Sequence, residues 1–165
     1  MLKKYLYIFA ISMVPIIELR GAIPIGTGLG LDWLSCYIVC VIGNMVPVPF
    51  ILLFIRAILN WMKGVEKFHF SDIAKWVERK AEKGSVKVQK YARFGLFAFV
   101  AIPLPGTGAW TGALIAAMLN MKFKHSIISI FLGVLTAGAI MTGASLLIKN
   151  GIDFGILRWI ANSKA

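Results

Sequence analysis

The sequence predicts an all-α integral membrane protein. It predicts an inverted repeat of a re-entrant helical hairpin plus a transmembrane helix, with a cytoplasmic amphipathic helix between the repeats. Three observations carry this. The 165 residues are 59% hydrophobic, with a mean hydropathy of +0.80; soluble domains sit near 45–50% apolar. The apolar residues fall into charge-free runs at 5–17, 21–31, 33–55, 94–121 and 126–148. Three of these meet the roughly 18–20 residues that cross about 30 Å of hydrocarbon. Finally, the string "AIPIGTG" at 22–28 returns as "AIPLPGTG" at 101–108.

The N-terminal "MLKKYLYIFAISMVPIIEL" imitates a signal peptide, with a basic start and an apolar core. It lacks a small-x-small cleavage site, and Glu18 and Arg20 follow at once, so it reads as retained. Segment 5–31 is apolar but interrupted by Pro15, Gly21, Pro24, Gly26, Gly28 and Gly30. About ten apolar residues precede the break, or about 15 Å of helix, which is half a crossing. The expectation is a re-entrant hairpin, because exposed backbone at that depth is tolerated only under protein or beside water. A kinked crossing is the alternative. Run 33–55 extends to about Leu59 and reads as a crossing helix anchored by Trp33 and Trp61. Pro47 and Pro49 within it predict a break or kink.

Half of the 18 basic residues, nine in all, lie between Lys63 and Arg93, against four acids there. Loops this rich in Lys and Arg stay in the cytoplasm. Their partner is expected to be anionic lipid rather than nucleic acid. Within the loop, "SDIAKWVERKAEKG" offers Ser71 as an N-cap and Gly84 as a stop. Ile73, Trp76, Val77 and Ala81 share one face, predicting an amphipathic surface helix. Segment 94–121 repeats the interrupted pattern with Pro103, Pro105, Gly106, Gly108 and Gly112. Run 126–148 predicts a second span, lined with small residues that allow close helix approach. "DFGILRWIANSKA" predicts an interfacial turn at Trp159.

One membrane domain, 1–165, is therefore expected: repeat one 5–59, basic amphipathic loop 60–93, repeat two 94–149 and interfacial tail 150–165. Each unit holds one full crossing, so successive units enter the bilayer in opposite senses, as in many transporters. The best anchor for the repeat is 22–28 against 101–108; Pro15 against Pro103 is an alternative register. With the loop cytoplasmic, Lys122, Lys124 and His125 share its side and the 31–35 corner lies outside. Lys3 and Lys4 then lie outside too, against the bias.

Glu18 and Arg20 are the only charges between Lys4 and Asp32. A charge at the bilayer centre costs about 2.5–3.5 kcal/mol on insertion scales, so such residues persist when they face each other or a pathway. One reading is an ion pair that staples the hairpin tip. The other is a substrate or ion pathway. Half-helices ending at mid-depth aim positive dipole ends into one volume, Arg20 offers a donor fork for phosphate or carboxylate, and Thr27 and Thr107 add hydroxyls. Such a site inclines toward an anion, with Glu18 able to exchange a proton.

No nucleophile–base pair, metal-ligand cluster or dinucleotide loop is present, so neither an enzyme nor a cofactor is expected. "GTGLG" lacks a strand–turn–helix context. Cys36 and Cys40 read as small buried apolar residues rather than a metal site or disulfide.

"ELRGAIPIG" followed by "PLPGTGAWTG" resembles the signatures of the small multi-drug export membrane proteins of prokaryotes. That family looks related to the DedA/VTT superfamily, whose members carry two facing re-entrant hairpins. The resemblance covers 5 to about 149. It implies Glu18, Arg20, Gly21 and Pro24 as first-hairpin site residues, and Pro103, Pro105, Gly106, Thr107 and Gly108 as second-hairpin ones. Members of the superfamily are associated with moving lipid phosphates, polyprenyl phosphate among them. The chain departs from the superfamily's arginine pattern: Arg93 is ten residues before Pro103 and Arg56 ends a span. These two and Asn44 are secondary candidates.

The expected function is secondary transport of an anionic amphiphile such as a polyprenyl-phosphate lipid, coupled to protons or Na+. A small exporter of hydrophobic cations and a structural membrane scaffold are the alternatives. Membrane lipids and further copies of the chain, as a homo-oligomer, are the expected partners. A multi-pass place in a prokaryotic cell membrane is the expected location.

Overall fold

The computed structural model describes residues 1–63, 86–104 and 106–149. The predicted amphipathic helix at 71–84, Pro105 and the predicted tail at 150–165 lie outside the described residues. Every regular element among those described is helical.

Helix α1 (Leu2–Ser12) and helix α2 (Glu18–Gly28) are separated by a break around Pro15. The Lys4 ammonium donates to the Leu29 carbonyl at 2.8 Å. The start of α1 therefore lies beside the end of α2, and the two form a helical hairpin with its tip at 13–17. Pro24 does not end α2, although it was expected among the breakers. A proline inside a helix removes one backbone bond, and this one leaves only the Arg20 carbonyl without its helical donor.

Helix α3 (Trp33–Met45) is N-capped by Asp32, whose carboxylate accepts from the Ser35 amide at 2.9 Å. Helix α4 (Pro47–Lys63) follows after Val46 alone. The expected break thus falls one residue before Pro47, which takes the first helical position, where a missing N–H costs nothing. Together Trp33–Ile58 makes 26 residues with mean hydropathy 2.5, long and apolar enough to cross a membrane. Helix α5 (Val86–Ala101) and helix α6 (Ala109–Met118) flank the second break. In helix α7 (Phe123–Lys149), Phe123–Ile148 is the second stretch of spanning length, with mean hydropathy 2.0.

The two halves correspond closely. At the end of α2 the amides of Leu29, Gly30 and Leu31 donate to Ile25, Thr27 and Gly26. At the end of α6 those of Leu119, Asn120 and Met121 donate to Ile115, Ala117 and Ala116, the same bonds 90 positions on. Gly30 and Asn120 both take positive φ there, 78° and 49°, as helix ends often require. Farther along, a Cβ on Gly43 would lie 2.8 Å from the Phe9 carbonyl, and one on Gly133 3.0 Å from that of Phe97. The first helix of each hairpin thus crosses its span at a glycine. The register is 90 for α2–α3 against α6–α7 and 88 for α1 against α5, which sets Pro15 opposite Pro103. The look-alike strings at 22–28 and 101–108 are not equivalent: one lies within α2, the other crosses the second break.

α1 packs on α2 and α3, and α5 on α7, while α2 leans on α7 and α6 on α4. Ile8, Ile23, Cys36, Leu52, Val100 and Ile130 are buried at the centre of this exchange. The hairpin bases sit at opposite ends of α3–α4. The first adjoins Trp33. At the second, Arg56 of α4 donates to the Met121 carbonyl and lies 5.8 Å over the Phe123 ring.

Candidate functional site

The two breaks meet. Helix α6 begins at Gly108 with no side-chain cap of its own, leaving first-turn amides without helical partners. Glu18 supplies the cap from the other hairpin: its carboxylate accepts from the Trp110 amide at 3.3 Å. Glu18 is 5% exposed and takes a left-handed φ of 49°. For a non-glycine residue that conformation costs about 1–3 kcal/mol, and such strain is enriched at functional sites. Gly108 is required by the contact, since any Cβ there would strike the Glu18 carboxylate.

Arg20 serves the opposite pole. Its guanidinium donates to the carbonyls of Val100 at 3.3 Å, Ile102 at 3.1 Å and Leu104. These carbonyls lie at and just past the end of α5, and a cation complements that end of the dipole. In return, the Trp110 indole donates to the Met13 carbonyl at 3.1 Å, just past the end of α1. The staple expected between Glu18 and Arg20 therefore takes another form: each charge finds its hydrogen bonds on the opposite hairpin.

A cavity of about 300 Å³ opens where the tips meet. Of the predicted site residues, Glu18, Arg20, Gly21, Pro103, Gly106 and Gly108 line it. Thr111 and Met141 line it as well, and neither was singled out from the sequence. Thr111 could have been, standing directly after the break in "PGTGAWTG"; Met141 carries no sequence signal. Thr107 ties the break together, donating to Ile102 at 2.7 Å and Leu104 at 2.9 Å. Pro24 and Thr27 lie in the second half of α2, away from this cavity. The Thr27 hydroxyl is spent on the Ile23 and Pro24 carbonyls, each at 3.0 Å.

Among the secondary candidates, Asn44 is buried on α3 with no partner for its side-chain oxygen. Arg56 stands at the α6–α7 corner. Arg93 falls within electrostatic range of His125, as do Lys122 and Lys124. No group of His, Cys, Asp or Glu able to hold a metal occurs among the described residues.

Residues 18–140 match the family model described as "Putative small multi-drug export protein". Neither the curated proteins nor the solved structures compared with the chain contain a match. The match begins at Glu18, directly after the first hairpin tip, takes in the second tip and most of the residues that line the cavity, and covers most of the sequence: the chain belongs to this small multi-drug export family of membrane proteins.

Proposed function

We propose that the chain is a secondary transporter that moves an anionic amphiphile, of the polyprenyl-phosphate class, through the cavity between its hairpin tips. The observation that carries this is the carboxylate of Glu18 at the N-terminus of α6. A helix N-terminus is a ready anion site, and here the protein's own anion occupies it, beside Arg20 in one cavity. Protonation of Glu18 frees that site for a phosphate, and departure of the phosphate lets the carboxylate return. The carboxylate and the phosphate then compete for one place, so proton uptake and anion binding go together, which is the logic of coupled transport. In the bilayer the two helical hairpins act as re-entrant elements of an inverted repeat, and their bases open on opposite sides. The gathering of Arg56, Arg93, Lys122 and Lys124 about one end supports placing that end in the cytoplasm of a prokaryotic, multi-pass protein. A chain with two spans has few walls for a lipid tail, which favours a homo-oligomer.

The family's description favours a second reading, export of hydrophobic cations, with Glu18 as the counter-charge. The test is a thermal-shift screen of purified protein against polyprenyl phosphate, anionic phospholipid and a cationic dye at two pH values. The proposal expects stabilisation by polyprenyl phosphate, lost in Arg20→Ala and kept or enhanced in Glu18→Gln. Stabilisation by dye alone, lost in Glu18→Gln, favours drug export instead. A response to no ligand, with both substitutions merely lowering stability, leaves the crossed caps as a scaffold.

A further inference from the structure

A second cavity, of about 360 Å³, lies at the α2–α3 corner and includes Tyr5, Thr27, Asp32 and Leu146 in its lining. The wall between it and the central cavity is thin. On α7 the central cavity reaches Met141 and the corner pocket reaches Leu146; on α2 the marks are Gly21 and Thr27. At 1.5 Å per residue the wall is about 7.5 Å thick along α7 and about 9 Å along α2.

Two polar residues of α7 fall between its two marks. Thr142 and Ser145 are three residues apart and so share a helix face. They are 5% and 6% exposed, and neither hydroxyl has a hydrogen-bond partner. A buried hydroxyl without a partner is costly, and in a helix it has a local remedy in the carbonyl four residues back. Elsewhere α7 uses that remedy: Ser126 donates to Lys122 at 3.1 Å and Thr136 to Leu132 at 2.9 Å. Thr142 and Ser145 do not. Their hydroxyls are held for another partner, and water is the smallest that satisfies donor and acceptor together.

We propose that Thr142 and Ser145 carry a file of water through this wall, joining the corner pocket to the central cavity and giving Glu18 a proton route from the Asp32 side. This rests on the coupled-transport reading of Glu18. The ionisable groups around the route are Glu18 and Arg20 at its inner end and Asp32, Tyr5 and Lys4 at its outer end. Tyr37 approaches α7 at Gly138. Each hydroxyl accepts a proton from one water and passes its own to the next, so no charge rests on the wall.

The test is proton flux in liposomes under an imposed pH gradient, with the membrane potential clamped and a pH dye in the lumen. It is run with and without polyprenyl phosphate. The wild type is expected to pass protons in at least one of the two mixtures. Thr142→Val combined with Ser145→Ala is expected to slow this flux at least tenfold, while Thr142→Ser combined with Ser145→Thr keeps it within about twofold. Should the apolar pair fail to fold, Ser145→Ala alone carries the test, with a slowing of at least threefold expected. An unchanged flux in the apolar variant, or no flux through the wild type in either mixture, overturns the water file. Polyprenyl-phosphate binding, read separately by thermal shift, is expected to survive Thr142→Val with Ser145→Ala. Its absence from the wild type overturns the transport reading, not the water route.

Discussion

Glu18 and Trp110 hold the two hairpins together from both sides. The carboxylate of Glu18 accepts from the Trp110 amide at 3.3 Å, and the indole of Trp110 donates to Met13, five positions before Glu18, at 3.1 Å. The tips cannot part without breaking both bonds. Trp110→Phe keeps the ring and the backbone amide but loses the indole donor. The expected loss is about 1 kcal/mol, read as a lower thermal midpoint, with faster exchange of amides near the break.

Gly108→Ala puts a methyl group where the Glu18 carboxylate lies. The carboxylate must leave, and the first turn of α6 loses a charged acceptor worth about 1.5–3 kcal/mol. A destabilised, inactive protein is expected. Gly95→Ala in α5 is the control: its Cβ meets nothing within 4 Å, so it is expected to stabilise by about 0.5–1 kcal/mol. Chemical unfolding in detergent measures both.

Glu18→Gln keeps an oxygen that can accept from the Trp110 amide, so folding is expected to stay within about 1 kcal/mol of wild type. What it removes is the exchangeable proton. Transport in liposomes is expected to lose its response to a pH gradient, while phosphate-lipid binding persists. Retention of a gradient-driven rate places the coupling group elsewhere.

Gly43→Val and Gly133→Val test the correspondence between the halves. The first meets the Ser12 hydroxyl and the Phe9 carbonyl, the second Val100 and the Phe97 carbonyl. Overpacking of this kind costs about 1–3 kcal/mol, and the two losses are expected to be alike. A large loss at one position and none at the other breaks the equivalence.

Much of this architecture was legible in the sequence because lipid imposes coarse rules. Charge-free length marked both spans; Pro15 marked the first break, and proline with glycine marked the second. Glu18 and Arg20 stood out because no other charge lies near them. The register was misread for a physical reason. "AIPIGTG" and "AIPLPGTG" share composition, but Pro24 is absorbed by a helix that Pro15 and the left-handed Glu18 have already set. The crossed caps were beyond reach as well. That Glu18 serves α6 and Arg20 serves α5 depends on how two segments 80–92 positions apart pack, and no local pattern records that.

The exchange of supports between the halves has a genetic consequence. Because α2 leans on α7 as well as on its own α1 and α3, and α6 on α4, the two halves fold against each other. A gene cut between the halves is therefore expected to yield two pieces that hold together only when both are made. The cut would also separate Glu18 and Arg20 from Gly108 and the end of α5, which answer them from the other half.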